Sequence, residues 1–307
     1  MGEFLEMLRR LDPAQAERLE EGYREVLELL GERAGGGSGR AAGSPSSSSS
    51  GGEGGGSGGD PPSGLGVVER LFLEALGELR VLPRVLPVTR LGPGVDYVAE
   101  PRVVLSEQGV VVEGEQVLPL EEVSVEFLVP RRLLERSGRL GEGELAPVVR
   151  YAASRMAVLE EKLIVDRLLS LEKERGAGMR GWEAPGEAVE DVARALAELE
   201  SEGIRGPWLL LVPPQRYARL LQVSERAGVM ELARLEKLVG RVVRAASLPH
   251  DRAVLLAADP AVADLVVGVE PRVEEIGPEP GGYRYRAWET VALRIRNPRG
   301  VLVLAQG

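Results

Sequence analysis

The sequence contains no cysteine, a single histidine, His250, and a single asparagine, Asn297. Without cysteine the chain forms no disulfide, and one histidine is too few for the usual zinc, copper, iron–sulfur and c-type haem ligand sets. Cys–His nucleophilic catalysis is excluded as well. A Ser-His-Asp triad would have to use His250, although the sequence has no G-x-S-x-G nucleophile elbow. We therefore predict that the protein is not an enzyme and holds no metal.

Long apolar runs and a positive net charge are also missing. No stretch approaches the roughly 18 apolar residues of a membrane-spanning helix, and residues 1–11 interleave Glu and Arg with Leu rather than forming the apolar core of a secretory signal. With 48 acidic and 38 basic side chains the net charge is -10, which disfavours a phosphate-binding surface. We expect a soluble, cytoplasmic protein that binds neither membrane nor nucleic acid. The preference for Arg and Glu fits a thermophilic source, or equally a bias in genome composition.

Residues 35–64 are rich in glycine and serine and offer almost no apolar side chain for burial. Such a composition is typical of a flexible linker, and about thirty residues of it span roughly 30 Å on average. The linker separates an N-terminal segment, residues 1–34, from a main body, residues 65–307. The main body is long enough, and the chain apolar enough at 44%, for a real hydrophobic core.

The N-terminal segment carries the pattern of an amphipathic helix. Asp12-Pro13 is a typical helix start, and four apolar residues then recur on one face, Leu19, Tyr23, Val26 and Leu30. One or two short helices cannot enclose a core by themselves, so we expect this segment to dock on other protein or to associate with its copies.

The main body mixes helices and strands. Its periodicity predicts helices over residues 65–80, 186–202, 215–223 and 230–239, and a spine helix of about thirty residues and about 45 Å that runs from Pro147 to just before Gly176. Strands are predicted over residues 120–129, 208–212, 252–258, 263–269, 283–296 and 300–305. Residues 97–118 are predicted to form an exposed hairpin that turns near residues 107–109.

Several segments of the main body resemble one family. The run WETVALRIRNPRGVLVL at residues 288–304 contains an E-T-x6-N-P signature that uses the only asparagine of the chain. Five segments that precede this run also match, in the same order as in the family: GPGVDY at 92–97, AEP at 99–101, LPLEEV at 118–123, LEEK at 159–162 and EGIRGPWLLLV at 202–212. The chain is thereby similar to the encapsulins, bacterial and archaeal shell proteins with the tailed-phage capsid fold.

The resemblance implies a fold. We expect an α+β, Hong Kong 97 phage-type major capsid fold with a peripheral domain, an axial domain over about residues 186–258 and an extended loop over about 97–118. The N-terminal segment, 1–34, would be an extra helical element, and residues 65–80 would lie on the lumen side. The extended loop would reach a neighbouring subunit, which fits a hairpin that cannot bury itself within its own chain.

The resemblance also implies a function. The protein would be the self-assembling shell of an icosahedral, cytoplasmic encapsulin nanocompartment of about sixty copies or a multiple. The shell would enclose a cargo enzyme such as a ferritin-like protein or a peroxidase, for iron storage or defence against oxidative stress, while pores admit small solutes. No cofactor is expected, although the resemblance allows a flavin, for which it assigns no residue.

Family position and apolar faces suggest two sets of site residues. The candidate cargo groove is formed by Leu71, Phe72, Ala75, Leu265 and Val267. The candidate pore loop includes Ser224, Glu225 and Arg226. The alternative for the second set is a solvated loop at a helix end.

Two alternative functions fit the sequence less well. A prophage major capsid protein shares the fold but packages DNA, and the net charge of -10 disfavours the Arg-rich lumen that it would need. A secreted peptidase or bacteriocin conflicts with the missing signal and the missing nucleophile site. Lys to Asn cross-linking of the phage type is not expected, because the predicted hairpin contains no lysine.

Overall fold

The computed structural model describes residues 64–106, 109–222 and 229–307. Within these ranges it describes only the backbone of residues 102–106, 109–111 and 113. The helices of these ranges are α1 (Leu65–Leu79), α2 (Arg131–Leu140), α3 (Ala146–Leu169), α4 (Glu172–Arg175), α5 (Glu187–Ser201), α6 (Pro214–Leu220) and α7 (Glu231–Val239). The strands are β1 (Val88–Arg90), β2 (Tyr97–Ser106), β3 (Gly109–Pro119), β4 (Glu121–Pro130), β5 (Gly176–Met179), β6 (Trp208–Val212), β7 (Arg241–Arg244), β8 (Arg252–Ala257), β9 (Ala263–Val267), β10 (Arg272–Glu279), β11 (Gly282–Ile295) and β12 (Val301–Gln306).

The first sheet is built around the long strand β11. One edge of β11 pairs antiparallel with β4. Its other edge pairs antiparallel with β10 and, further along, with β9, which pairs in turn with β1. Helices α1 and α3 pack together and cover this sheet. Phe72 of α1 stacks on Phe127 of β4 at 6.0 Å between ring centroids, and Phe127 stacks on Tyr285 of β11 at 5.7 Å. This aromatic stack ties helix α1 into the core of the sheet.

The second sheet has the strand order β5-β12-β8-β6-β7. Its strand β6 is an unbroken apolar run whose residues Leu209, Leu210 and Leu211 are fully buried, as expected for a strand covered on both faces. Helix α5 packs against β8 and β12, and α7 packs against β6 and β7. The remaining strands, β2 and β3, form a separate two-stranded hairpin.

The spine helix is shorter than the sequence predicts. Helix α3 has 24 residues, about 36 Å at 1.5 Å per residue, and the prediction of one helix continuing to Gly176 is wrong. The hydroxyl of Ser170 donates to the carbonyl of Arg167 at 2.6 Å, and the chain turns there before the short helix α4. Within the described residues no helix is long and apolar enough to cross a membrane.

Candidate assembly interface

The hairpin β2–β3 exposes several apolar side chains. Its register runs from the Tyr97–Pro119 pair to the Ser106–Gly109 pair, which confirms the predicted hairpin. Among the described strands, neither β2 nor β3 pairs with any other. Tyr97, Val112 and Val117 are 63%, 59% and 70% exposed. A two-stranded ribbon with apolar side chains in water is marginally stable alone, so this surface suits a protein partner.

A β-bulge divides the hairpin into a root and a tip. Arg102 pairs with Gly114, whereas the next residue, Val103, pairs with Val112, so strand β3 carries one extra residue, Glu113. A bulge bends the strand and increases its local twist. The tip beyond the bulge is therefore aimed in a different direction from the root.

A buried carboxylate fixes the hairpin root to the subunit. Glu100 is 6% exposed, and its two carboxylate oxygens accept from Nη2 of Arg167, on helix α3, at 3.0 and 2.7 Å. The same carboxylate accepts from the backbone N–H of Ile295, at the end of β11, at 2.6 Å. Leu120 N–H also donates to the carbonyl of Asp96 at 2.8 Å, which closes the hairpin at its base. The root is thus tied to a helix and to the first sheet.

A second buried network joins α1, α3 and β11. Arg80, just after α1, places its Nε 2.8 Å from Oε2 of Glu160, and its Nη2 donates to Glu289. Burial raises the pKa of Glu160 to about 8, because desolvation and the charge of Glu289 outweigh the attraction of Arg80. Desolvation likewise raises the pKa of Glu289. One guanidinium therefore pairs with two carboxyl groups, and the buried site favours the protonated form of one of these carboxyl groups.

A third buried network, centred on the carboxylate of Asp264, joins β1, β9 and β11. The carboxylate accepts from the hydroxyl of Thr89 at 2.5 Å and from Nε and Nη2 of Arg294 at 3.0 and 2.8 Å, and Nη1 of Arg296 lies 2.9 Å away. Burial alone would raise the pKa of Asp264, but the hydrogen bonds from Arg294 and Thr89 outweigh it, and the pKa lies below its usual value. This carboxylate is therefore held ionised.

The E-T-x6-N-P signature has a structural explanation. Glu289 binds Arg80, and the hydroxyl of Thr290 accepts from the N–H of Val269 at 2.8 Å. The side chain of Asn297 accepts from the N–H of Arg299 at 3.2 Å and so caps the turn before β12. Each polar residue of the signature therefore fixes a junction between neighbouring segments.

An aspartate organises the loop before helix α5. The buried carboxylate of Asp191 accepts from the backbone N–H of Arg180 at 2.8 Å and from Nε1 of Trp182 at 3.1 Å. Trp182 is itself buried, and the guanidinium of Arg216 lies 5.0 Å from its ring centroid. These contacts have a structural role, since the indole faces partners within its own chain.

The structure places the candidate cargo groove mostly inside the subunit core. Phe72, Ala75, Leu265 and Val267 are buried, and Leu71 alone of the five is partly exposed. Helix α1 packs against α3 and β10, while β9 lies between β1 and β11. A cargo segment cannot touch the four buried side chains without a rearrangement, so the groove remains a prediction that rests on Leu71.

Several predicted features lie outside the described residues. They are the pore candidates Ser224, Glu225 and Arg226, the N-terminal segment 1–34, and nearly all of the linker 35–64. The buried networks of Glu100, of Glu160 with Glu289, and of Asp264 were not predicted from sequence. The segments AEP, LEEK and WET contained three of these carboxylates, but only the fold shows that they are buried and paired.

Comparison with known proteins identifies the family. Residues 89–292 match the family model described as "Encapsulating protein for peroxidase". The ferritin-like-encapsulin shell fusion protein of Pyrococcus furiosus is 28% identical over 309 residues, covering 99% of this chain and 81% of that protein. The crystal structure of a virus-like particle from Pyrococcus furiosus aligns with a TM-score of 0.69 at 27% identity, over 78% of this chain and 98% of that one.

A phage capsid supports the fold alone. The mature capsid of bacteriophage PhiM1 aligns with a TM-score of 0.51 at 10% identity, over 74% of this chain and 87% of that one. The predicted capsid-type fold is thereby confirmed. Since the family model covers more than half of the chain, this protein belongs to the encapsulin family of shell proteins and shares its fold with the capsids of tailed phages.

Proposed function

We propose that this chain assembles with identical copies into a closed icosahedral compartment that encloses an iron-handling or redox enzyme. The observation that carries the proposal is the hairpin β2–β3, which has exposed apolar side chains, a firmly bound root and no partner strand in the described part of the chain. A projecting ribbon of this kind gains its missing contacts when a neighbouring copy covers it.

The cargo class rests on the relatives. One is named as a fusion of a ferritin-like protein with an encapsulin shell, and the family description names a peroxidase. A ferritin-like protein or a peroxidase, supplied as a separate chain, is therefore the proposed cargo. Iron storage or defence against oxidative stress would follow from the enclosed enzyme.

The shell itself is proposed to carry no catalytic activity. The buried carboxylates of Glu100, Glu160, Asp264 and Glu289 each contact an arginine that belongs to a junction between structural elements. Such pairing accounts for these titratable groups without a substrate. A bound flavin remains an expectation without an assigned residue.

One experiment tests assembly and contents together. The full chain and a version that starts at Leu65 would be produced, purified and imaged by electron microscopy, and the absorbance ratio at 260 and 280 nm would be recorded. Closed, nucleic-acid-free particles from the full chain support the proposal. An absence of closed particles from both versions contradicts it, and particles filled with DNA favour the phage-type alternative. Particles from the full chain alone would show that residues 1–64 take part in assembly.

Cargo needs a separate measurement. The full chain would be produced together with a ferritin-like protein or a peroxidase, and the particles would be separated from free protein by sedimentation. Co-sedimentation of active cargo that resists an added protease supports enclosure. Cargo that sediments but is digested would instead lie on the outer surface.

A further inference from the structure

The hairpin root contains the most specific polar contact that joins the projecting element to the rest of the subunit. Glu100 lies on the hairpin strand β2, Arg167 on the spine helix α3, and Ile295 at the end of β11. The carboxylate of Glu100 is nearly inaccessible and accepts three hydrogen bonds from these two partners. Charge-assisted bonds to a buried carboxylate fix its position more firmly than contacts of an exposed pair.

Because this contact lies at the root, a small rotation there produces a large displacement of the hairpin tip. The end of β2 at Ser106 lies six positions beyond Glu100, a reach of about 20 Å at about 3.3 Å per residue. A rotation of about fifteen degrees at the root would move the tip by about 5 Å, roughly the spacing between adjacent strands. A small loss of order at Glu100 would therefore misplace the tip by a whole strand position on a neighbouring copy.

Two other polar contacts at the root restrain this motion less. The bond between Leu120 N–H and the carbonyl of Asp96 closes the base of the hairpin, where β3 leads into β4. The bond from Nη1 of Arg294 to the carbonyl of Ala99 is long, at 3.4 Å. The carboxylate of Glu100 lies further along the strand and is held from a helix and from a sheet, so it restrains rotation about the base.

We propose that Glu100 is a positioning residue for shell assembly: held by Arg167 and by the N–H of Ile295, it sets the direction in which the hairpin leaves the subunit and so the geometry at which copies join. This inference rests on the proposed assembly function. It predicts that loss of the contact changes the uniformity of the particles more than the fold of the subunit.

The variants separate the parts of the contact. Glu100→Ala removes all three bonds, whereas Glu100→Gln keeps an acceptor for Ile295 and loses the charge that faces Arg167. Arg167→Lys retains a cation, and Arg167→Ala does not. The matched control is Glu202→Gln, which breaks a partly buried arginine pair elsewhere, where Arg175 Nη1 lies 2.9 Å from Glu202 Oε1.

Particle size is the first measurement. In full-length Glu100→Ala and Arg167→Ala, we expect the spread of particle diameters in electron micrographs to increase at least twofold, with circular dichroism unchanged. Arg167→Lys and Glu100→Gln should lie between these variants and the wild type, and Glu202→Gln should match the wild type. Uniform particles of wild-type diameter from Glu100→Ala would overturn the proposal, even if their unfolding temperature were lower. If Glu100→Ala is insoluble, Glu100→Gln and Arg167→Ala decide by the same criterion.

The direction of the hairpin is the second measurement, and it does not depend on closed shells. Because the chain has no cysteine, Val112→Cys and Lys162→Cys can carry a specific pair of spin labels on the hairpin and the spine helix. Labelled chains diluted into unlabelled chains report the distance within one subunit. We expect a broader distance distribution in the Glu100→Ala background than in the wild type. Equal widths would overturn the positioning role. If the wild type forms no particles but Glu100→Ala still broadens the distribution relative to it, the assembly function alone is contradicted.

Discussion

Arg80 and Glu160 form an ion pair of 2.8 Å in the interior of the subunit, and the same guanidinium also binds Glu289. The second oxygens, Oε1 of Glu160 and of Glu289, have no hydrogen-bond partner among the described residues. Three groups thus share one buried site with one positive charge and two carboxyls. A proton on one carboxyl balances the charge, which accounts for the raised pKa of Glu160.

This arrangement predicts a pH-dependent stability. The pKa of Glu160 is about 8 in the folded chain and ordinary in the unfolded chain, so the folded state binds the extra proton between about pH 4.5 and about pH 8. Its contribution to the free energy of unfolding is complete below that window and is lost as the pH rises through it. Glu160→Gln keeps a neutral polar group, and we expect it to lose less stability than the wild type between about pH 6 and about pH 9.

Chemical denaturation of the full-length protein at several pH values measures this effect. The control is Glu74→Gln, which removes an exposed carboxylate on helix α1, near Arg70. Its pH profile should follow that of the wild type. Parallel profiles for Glu160→Gln and the wild type would show that Glu160 is not the group responsible.

For Asp264 we predict that the contribution to stability depends on pH in the opposite direction. Its pKa lies below the usual value, so its stabilising effect is present above the pKa of the unfolded chain and is lost as the pH falls. Asp264→Asn leaves Arg294 and Arg296 without their buried counter-charge, and we expect a loss of about 3–5 kcal/mol at neutral pH. The difference from the wild type should shrink below about pH 4.

The measurement is the free energy of unfolding at neutral and acidic pH. Asp251→Asn is the control, because Asp251 pairs with Arg252 at a partly exposed site, 2.6 Å apart, where the loss should be under about 1 kcal/mol. Equal losses in the two variants would contradict the role assigned to the buried pairing of Asp264.

Local pattern was sufficient to predict much of the fold. The hairpin, helix α5 and strands β6 and β11 follow from alternation, an unbroken apolar run, helical period and turn residues. Helix α2 was not predicted, because none of its residues is buried and its sequence is dominated by arginine. The end of α3 was also misplaced, since no proline or glycine marks it.

The buried polar contacts could not be predicted, because their partners are distant in sequence. Arg80 and Glu289 are 209 positions apart, and Glu100 and Arg167 are 67 positions apart. A periodic pattern shows which face of a helix is apolar, but it does not show whether the chain itself covers that face. For this reason Phe72 was assigned to a groove, whereas the structure places it in the core.

Alanine substitutions at two glycines are expected to have opposite effects on the stability of the fold. A Cβ at Gly282 would collide with the carbonyl oxygen of Val129 and lie 3.0 Å from Cα of Pro130, backbone atoms that cannot move aside. We expect Gly282→Ala to cost about 1–3 kcal/mol or more. At Gly77, in helix α1, nothing lies within 4 Å of the added carbon, and Gly77→Ala should stabilise by roughly 0.5–1 kcal/mol. Thermal unfolding of the full-length variants distinguishes the two, and a shift in the same direction for both would contradict this interpretation.

Leu71 and Phe72 separate cargo binding from core packing on helix α1. Phe72 is fully buried and stacks on Phe127, so Phe72→Ala should cost about 3–5 kcal/mol in the free energy of unfolding. Leu71 is partly exposed, so Leu71→Ala should cost less. If cargo binds this helix face, Leu71→Ala should lower the amount of co-produced ferritin-like protein per particle.

Leu73 provides the matched control, because it is an exposed leucine on the same helix. Gel densitometry of purified particles gives the ratio of cargo to shell protein for each variant. A ratio reduced severalfold by Leu71→Ala, and not by Leu73→Ala, would support the groove, since the same truncation of a leucine at two positions would then have unequal effects. Unchanged loading in Leu71→Ala would remove the last accessible residue of the predicted groove and would place cargo binding on another surface of the shell interior.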